Sequence, residues 1–384
     1  MKFNFLYTTL VLATVFLAGC KQGPEYNDVV YITGTETQPT TSFTIDGTSS
    51  SMGLTVTSTA KLDEDAKVTM KVDSLLLGAY NKKYNRNYKM LPKGSYELIN
   101  PEVTIKSGQN MSSQAKLNIL STEDLKEGVT YCVPITITSA DGLNVLEPSR
   151  TDYIVIDRVT YSKAVNLAGS YYFSIPSFET SSDVSALSAV TMECKVYVNS
   201  FCDYNPYISS IMGIEENFLL RFGDVSCDKN QLQLAGGNIG SGRYPMTSTA
   251  HFATGQWYHI AVVYNGSTVT LYINGKVDTY ATTGGGNVSF NDSYMDGFHI
   301  GRSERGRYIN GYISEARVWK KALSANELQA NVCYVDPTSD GLIAYWRFNG
   351  TDQDNLTVKD LTGHGHDAIA SGTIQWVENQ KCPF

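Results

Sequence analysis

Two long irregular segments in the second half of the chain carry aromatic rings beside hydrogen-bonding side chains. They span residues 201–207 and 236–245, and a third segment, 302–307, adds three arginines. The C–H faces of a pyranose stack on aromatic rings, while its hydroxyls pair with Arg, Asp and Asn. These segments therefore predict a carbohydrate-binding site, although the tyrosines could instead pack against their own loops. The candidate residues are Asp203, Tyr204, Tyr207, Asn238, Arg243, Tyr244 and Arg305.

Hydrolytic chemistry has less support in the sequence. A retaining glycosidase needs two carboxylates about 5 Å apart, and an inverting enzyme needs a wider separation. The chain has no Glu-x-Asp-x-Glu pattern, and the adjacent Glu215 and Glu216 would point apart on a strand. It also has no Gly-x-Ser-x-Gly elbow and no phosphate-binding Gly-rich loop. Binding without catalysis is the prediction, with a glycoside hydrolase as the alternative.

Residues 360–367, Asp-Leu-Thr-Gly-His-Gly-His-Asp, concentrate oxygen ligands and glycine carbonyls in a short segment. Hard cations such as Ca²⁺ prefer oxygen ligands of this kind. The segment therefore predicts either a structural calcium site or a plain Asx-type turn, and the sequence does not choose between them.

Composition and charge limit the fold classes and functions that the chain can have. The 384 residues include 30 Lys and Arg against 38 Asp and Glu, a net charge of −8. That balance argues against general nucleic-acid binding, which needs basic patches to neutralise phosphate. The 25 tyrosines and 32 glycines favour β-sheets joined by turns. The length indicates about two domains.

The N-terminus has the layout of a signal peptide. Met1-Lys2 precedes an apolar run over residues 3–18, which is too short for a comfortable membrane span. The run ends in Leu17-Ala-Gly-Cys20, which resembles the lipobox of bacterial lipoproteins. The resemblance implies that residues 1–19 are removed, that Cys20 carries a lipid anchor and that residues 20–28 form a tether. A plain secretory signal is the alternative.

Residues 29–157 alternate apolar and polar side chains in short segments, of which Lys67-Val-Thr-Met-Lys-Val72 is one. This period of two predicts half-buried strands in an immunoglobulin-like β-sandwich. Residues 74–88 differ, because leucines and tyrosines recur there at helical spacing, so we expect one helix.

Several motifs in this region resemble an N-terminal module of Bacteroidetes surface lipoproteins, domain of unknown function 1735. They are Tyr80-Asn81, Tyr84-Asn85, Leu91-Pro92 and Tyr131-Cys-Val-Pro-Ile135. The resemblance implies a spacer or platform that lifts a second module off the outer membrane.

The rest of the chain contains the signals of a second β-domain. Asn265-Gly266 joins two β-runs as a hairpin, and Asn310-Gly-Tyr-Ile-Ser-Glu-Ala-Arg-Val-Trp319 reads as a further strand. Ser324 and Glu327 form the capping box of a short helix. These motifs resemble a laminin-G-like, concanavalin A-type jelly roll over residues 161–384.

The order of the motifs departs from that family in one respect. Residues 341–349 and 358–367 commonly open such a domain, and here they close it. A jelly roll tolerates this order because its first and last strands are neighbours in one sheet. The resemblance also implies that Ca²⁺ would bind through Asp360, although His364 stands where relatives often have Asn.

Export permits disulfides, and Cys333–Cys382 and Cys202–Cys227 are both possible pairs. The sequence thus predicts an all-β protein, an immunoglobulin-like sandwich followed by a jelly roll, anchored to the outer membrane. Exposure at the cell surface is the prediction, with the periplasmic face of the membrane as the alternative. The predicted function is glycan or polysaccharide capture near a transporter or hydrolase encoded with it. A protein-interaction module is a further alternative.

Overall fold

The computed structural model describes residues 28–47, 50–240, 242–293, 297–304, 306–350 and 354–382. Cys20 and Arg305 lie outside the described residues. The described residues form two compact units, which divide between Arg158 and Val159. Within the described ranges, no helix has both the length and the apolar character needed to cross a bilayer.

The N-terminal unit is built from short strands around one core. One sheet has the order β2-β11-β9-β5-β7, and two smaller sheets have the orders β10-β1-β4 and β3-β8-β6. Alternate residues of β5, such as Val68 and Met70, enter the core. The strands are β1 (Val29–Ile32), β2 (Thr40–Ile45), β3 (Ser51–Leu54), β4 (Val56–Ser58), β5 (Ala66–Val72), β6 (Tyr96–Ile99), β7 (Glu102–Ile105), β8 (Ala115–Ile119), β9 (Tyr131–Ala140), β10 (Asn144–Val145) and β11 (Thr151–Arg158).

One helix, α1 (Leu76–Tyr84), forms within the segment where the sequence predicts it. Leu77 and Tyr80 are its buried residues, which lie three positions apart on one face. The helix ends because Asn85 adopts the left-handed conformation, with φ 50°, and its N–H bonds to the carbonyl of Asn81. A 3₁₀ turn, Glu147–Ser149, precedes β11.

The C-terminal unit consists of two eight-stranded sheets that enclose a large apolar core. The first has the order β21-β20-β19-β14-β23-β12-β27, with β24 also paired to β23, and the second has the order β18-β17-β16-β15-β22-β13-β26-β25. The strands are β12 (Thr160–Asn166), β13 (Phe173–Ser174), β14 (Val190–Ser200), β15 (Ser209–Ile214), β16 (Phe218–Asp224), β17 (Cys227–Ala235), β18 (Met246–His251), β19 (Trp257–Tyr264), β20 (Thr268–Ile273), β21 (Lys276–Thr282), β22 (His299–Ile300), β23 (Asn310–Trp319), β24 (Leu342–Arg347), β25 (Thr357–Val358), β26 (Ala368–Ala370) and β27 (Trp376–Cys382). Short 3₁₀ turns span Pro176–Thr180, Ser182–Val184 and Gly237–Ile239.

A helix and a disulfide cover the outer face of the first sheet. Helix α2 (Ala325–Ala330) begins at the predicted capping box, and its Leu328 packs with Trp319 and Tyr345 in a second apolar cluster. Cys333 is bonded to Cys382 of β27, with their Cα atoms 5.7 Å apart. Cys202 and Cys227 are free thiols, so the other pairing that the sequence allowed does not form.

The first and last strands of this unit are hydrogen-bonded neighbours, since β12 pairs with β27 from Thr160 and Cys382 to Val165 and Trp376. Both units are sandwiches of β-sheet with little helix, which confirms the predicted all-β class.

Candidate functional site

A row of polar side chains lies on the outer face of the second sheet. Leu220 and Phe222 of β16 enter the core, so Arg221 between them points to the opposite face. The strand register places Arg221 between Ser210 of β15 and Gln233 of β17. Three neighbouring strands thus present polar groups at one level of the sheet.

Arg221 is the centre of a buried network. Its Nη1 donates to Glu215 Oε1 at 3.2 Å, and its Nη2 donates to Asp224 Oδ2 and Gln233 Oε1, both at 2.8 Å. Arg307 binds the same Glu215 oxygen at 2.8 Å. Breaking such a buried pair is costly, because removing one partner leaves the other charge uncompensated.

The loop after β14 is joined to this network at its rim. Tyr204 is 59% exposed, and its hydroxyl donates to the carbonyl of Gly306 at 3.0 Å. Gly306 directly precedes Arg307, which binds Glu215. The Cys202 thiol, followed by slight burial, raises the pKa of the Tyr204 phenol above its ordinary value. The ring is therefore fixed but open to solvent.

The loop after β17 meets the network from another side. The ring centroid of Tyr244, which is 39% exposed, lies 5.1 Å from the guanidinium carbon of Arg221. This is the distance of a cation–π contact. Arg243 forms an ion pair with Glu216, so the adjacent Glu215 and Glu216 serve different partners. Both arginines hold Tyr244 at the surface, since Arg243 is 5.6 Å from the same ring.

The remaining predicted residues are placed less centrally. Tyr207 is partly exposed with φ 66°, and its carbonyl lies so close to Gly223 that a Cβ there would approach within 2.1 Å. Glycine at that position therefore lets the loop lie against β16. Asp203 is exposed, whereas the Asn238 amide donates to Asn217 Oδ1 at 2.8 Å and so joins its loop to the turn between β15 and β16.

The calcium expectation centres on Asp360, and its contacts match the alternative, an Asx-type turn. Its Oδ1 accepts from the backbone N–H groups of Tyr345 at 3.1 Å and Thr362 at 3.0 Å, and its Oδ2 accepts from that of His366 at 3.2 Å. A carboxylate that accepts from three backbone N–H groups has the hydrogen bonds expected of an Asx-type turn. No cluster of three metal-ligating side chains occurs in the described ranges. Calcium binding stays a prediction.

Sequence reasoning missed Arg221, Asp224 and Gln233. A signal was present, since Phe218-Leu-Leu-Arg-Phe222 places one charged residue in an otherwise apolar strand. Such a residue must find a partner if the strand is covered on both faces. The partners come from other strands, so only the register of β15, β16 and β17 reveals them.

Family models match both halves of the chain. Residues 25–144 match a model described as a "-like, N-terminal domain", and residues 168–329 match the concanavalin A-like lectin/glucanases superfamily. The C-terminal unit therefore contains a laminin-G-like domain of the concanavalin A-like superfamily, as its motifs predict. No curated protein matches the sequence.

Several solved structures resemble the chain. A "putative carbohydrate binding protein" from Bacteroides ovatus is 26% identical, with a TM-score of 0.61, and the match covers 91% of this chain and 97% of that one. A pentraxin from Limulus polyphemus is 14% identical over 58% of this chain and 98% of its own, with a TM-score of 0.37. EndoBT-3987 from Bacteroides thetaiotamicron is 18% identical, with a TM-score of 0.27, and the match covers 31% of this chain and 28% of that one. The last two are too remote to indicate a function.

Proposed function

We propose that the protein binds a carbohydrate at the loops of its C-terminal unit and does not cleave it. The observation that carries the proposal is the pair of exposed rings, Tyr204 and Tyr244, each held by the Arg221 network through bonded neighbours. Rings that are immobile before binding lose little entropy when a ligand stacks on them. The extensive likeness to a Bacteroides protein described as carbohydrate-binding supports the same function.

The polar groups around the rings provide partners for sugar hydroxyls. Asp203 and Tyr207 lie on the same loop as Tyr204, and Arg243 flanks Tyr244. Charged side chains make stronger hydrogen bonds to hydroxyls than neutral ones do. Arg305 belongs to the third predicted segment, residues 302–307. The next residue of that segment, Gly306, accepts a hydrogen bond from Tyr204. We infer that the ligand rests on the two rings while these side chains select its hydroxyl pattern.

The carboxylates of the network are poorly suited to hydrolysis. Glu215 and Asp224 both bind the guanidinium of Arg221 and are buried, so a glycosidic oxygen does not reach them. Glu216, which is partly exposed, pairs with Arg243. A hydrolase would need two carboxyl groups facing a shared open space. Capture without chemistry is therefore the function that this geometry favours.

The proposal also includes a cellular location. The lipobox-like Leu17-Ala-Gly-Cys20 supports a lipid anchor in the outer membrane, and residues 20–28 would serve as the tether. A protein so held would keep polysaccharide at the cell surface, near a transporter or hydrolase encoded with it. Metabolic labelling with a radioactive fatty acid tests the anchor: we expect label in the wild type and none in Cys20→Ser.

A glycan array on the soluble chain, followed by titration of the best ligand, tests the binding site. One aromatic contact is worth about 0.5–1.5 kcal/mol, so Tyr204→Ala and Tyr244→Ala should each weaken binding roughly 2- to 10-fold. Tyr280→Ala is the matched control, because Tyr280 is 71% exposed on β21, in the other sheet.

Three results would contradict the proposal in different ways. Unaltered affinity in both loop variants would show that the site is elsewhere. Release of reducing sugar, lost on changing one Asp or Glu, would make the protein a hydrolase. Binding of a protein partner with no affinity for any glycan would make it an interaction module.

A further inference from the structure

The N-terminal unit contains a cavity of about 440 Å³. Three segments line it: residues 35–39 between β1 and β2, the second half of α1, and residues 147–153 at the start of β11. Small-molecule sites in proteins measure roughly 300–1,000 Å³. The cavity therefore has the size of a ligand site, in a unit to which neither the sequence nor the comparisons assign an activity.

One wall of the cavity is a series of tyrosine rings. Tyr80 lies between two others, with ring centroids 4.6 Å from Tyr84 and 4.1 Å from Tyr153. Tyr80 and Tyr84 are one helical turn apart, and Tyr153 points out of the sheet because its neighbour Ile154 enters the core. Tyr80 is buried, whereas Tyr84 is 41% exposed. The series thus offers a fixed aromatic surface that ends in an open ring.

The opposite wall is polar and is held in place. Thr35 Oγ1 donates to the carbonyl of Ser149 at 3.0 Å, and Ser149 Oγ donates to that of Thr35 at 3.1 Å. This reciprocal pair fastens residues 35–39 to residues 147–149. Glu36 accepts from the N–H of Gly34 at 2.7 Å. The wall is therefore arranged before any ligand arrives.

The charges on the lining indicate which ligands fit. Glu36 and Glu147 contribute carboxylates, and Lys83 contributes one ammonium, 5.0 Å from the ring of Tyr84. Arg150 pairs with Glu147 but does not line the cavity. Because Arg150 neutralises Glu147, the lining keeps one carboxylate, Glu36, against one ammonium, Lys83, and has no surplus positive charge to attract an anion. Sugar hydroxyls can donate to the carboxylates and accept from the ammonium.

We propose that this cavity, the Tyr84 cleft, is a second carbohydrate-binding site, specific for a neutral sugar. An aromatic surface facing fixed acceptors and one donor complements a pyranose, which has an apolar face and a rim of hydroxyls. The proposal is independent of the jelly-roll site, because the two share no residue. Two binding sites on one chain would raise its avidity for a polysaccharide.

The experiment weakens the jelly-roll site first, in the full soluble chain carrying Tyr204→Ala and Tyr244→Ala. This background is tested on an array of neutral oligosaccharides, with matched oligosaccharides that contain uronic acids as the anionic arm. We expect residual binding to neutral sugars and none to the anionic ones. Adding Tyr84→Ala or Glu36→Gln should reduce that residual binding at least 3-fold. Leu75→Ala is the control, because Leu75 is exposed beside α1 but does not line the cleft.

Several outcomes would overturn the proposal. No residual binding in the background variant, binding only to uronic acids, or residual binding unaffected by both Tyr84→Ala and Glu36→Gln would each refute it. If Tyr84→Ala weakens binding while the two jelly-roll substitutions do not, the Tyr84 cleft stands and the jelly-roll proposal fails. Circular dichroism of each variant shows whether its fold is intact. Glu36→Gln keeps the shape of the side chain, so it remains informative if Tyr84→Ala unfolds.

Discussion

Breaking the Cys333–Cys382 disulfide should destabilise the C-terminal unit strongly. The bond closes a loop with a sequence separation of 49 residues, and it ties β27 to the segment that follows α2. Helix α2 and the segment after it cover the outer face of the first sheet through Leu328 and Val335, respectively. The double substitution Cys333→Ser and Cys382→Ser removes the link without leaving an unpaired thiol.

The expected magnitude follows from the length of the loop. In the chain-entropy model, closing a loop of this size lowers the entropy of the unfolded state by an amount worth about 4 kcal/mol at 25 °C. For a unit of this size, each kcal/mol shifts the melting temperature by roughly 2–4 °C. The double variant should therefore melt roughly 8–16 °C lower than the wild type.

Urea denaturation and calorimetry, each with and without dithiothreitol, measure this effect. Reductant should lower the stability of the wild type to that of the double variant and leave the double variant unchanged. Cys202→Ser is the matched control, because Cys202 is a free thiol and its loss should not alter the response to reductant. A wild type that melts at the same temperature in both conditions would refute the reasoning. A drop in the stability of the wild type on reduction would also support export, because disulfides form in oxidising compartments.

Two further predictions concern buried carboxylates. Burial raises the pKa of Asp152 to about 6, from an ordinary value of 3.8, so its stabilising contribution is complete below pH 4 and is lost as the pH rises through 6. Asp152→Asn should therefore stabilise the N-terminal unit by roughly 1–3 kcal/mol at pH 7 and flatten stability between pH 4 and 6; denaturation midpoints equal to the wild type at pH 7 would contradict this. Asp360→Ala should destabilise the C-terminal unit by roughly 2–4 kcal/mol, since it leaves three N–H groups without their acceptor. Melting the wild type with Ca²⁺ and with a chelator separates the two predictions for this loop: an Asx-type turn leaves the melting temperature unchanged, whereas a calcium-dependent rise that is lost in Asp360→Asn would establish the metal site.

Local signals in the sequence were enough to predict most of the elements. The capping box at Ser324 and Glu327 specifies where α2 begins, because both side chains bond backbone groups within the same turn. Asn265-Gly266 specifies the hairpin between β19 and β20 in the same way. The spacing of Tyr80 and Tyr84 predicts a helix, although it forms over fewer residues than the pattern covers.

The candidate carbohydrate-binding site was predictable only in part, because the residues that hold its tyrosines in place are distant in the sequence. Tyr204 and Tyr244 could be picked out as aromatic residues in irregular segments, but nothing in their neighbourhoods indicates that Arg221 and Arg307 lie between them. Those contacts depend on which strands pair and on which face each side chain leaves the sheet. The Tyr84 cleft was missed for the same reason, since Tyr153 meets Tyr80 only after β11 has been placed beneath α1.

The pairing of β12 with β27 brings the entry and exit of the C-terminal unit to one sheet edge. A unit whose ends are adjacent can be inserted into a loop of another protein without moving apart the host residues on either side of the insertion. The unit could also be circularly permuted, with its present ends joined and the chain opened at another loop. The hydrogen-bonded strand pairs stay the same wherever the backbone is opened. Segments 341–349 and 358–367, which the resemblance leads one to expect at the start of such a domain, can therefore stand at its end, and the loops that carry Tyr204 and Tyr244 are unaffected by that order.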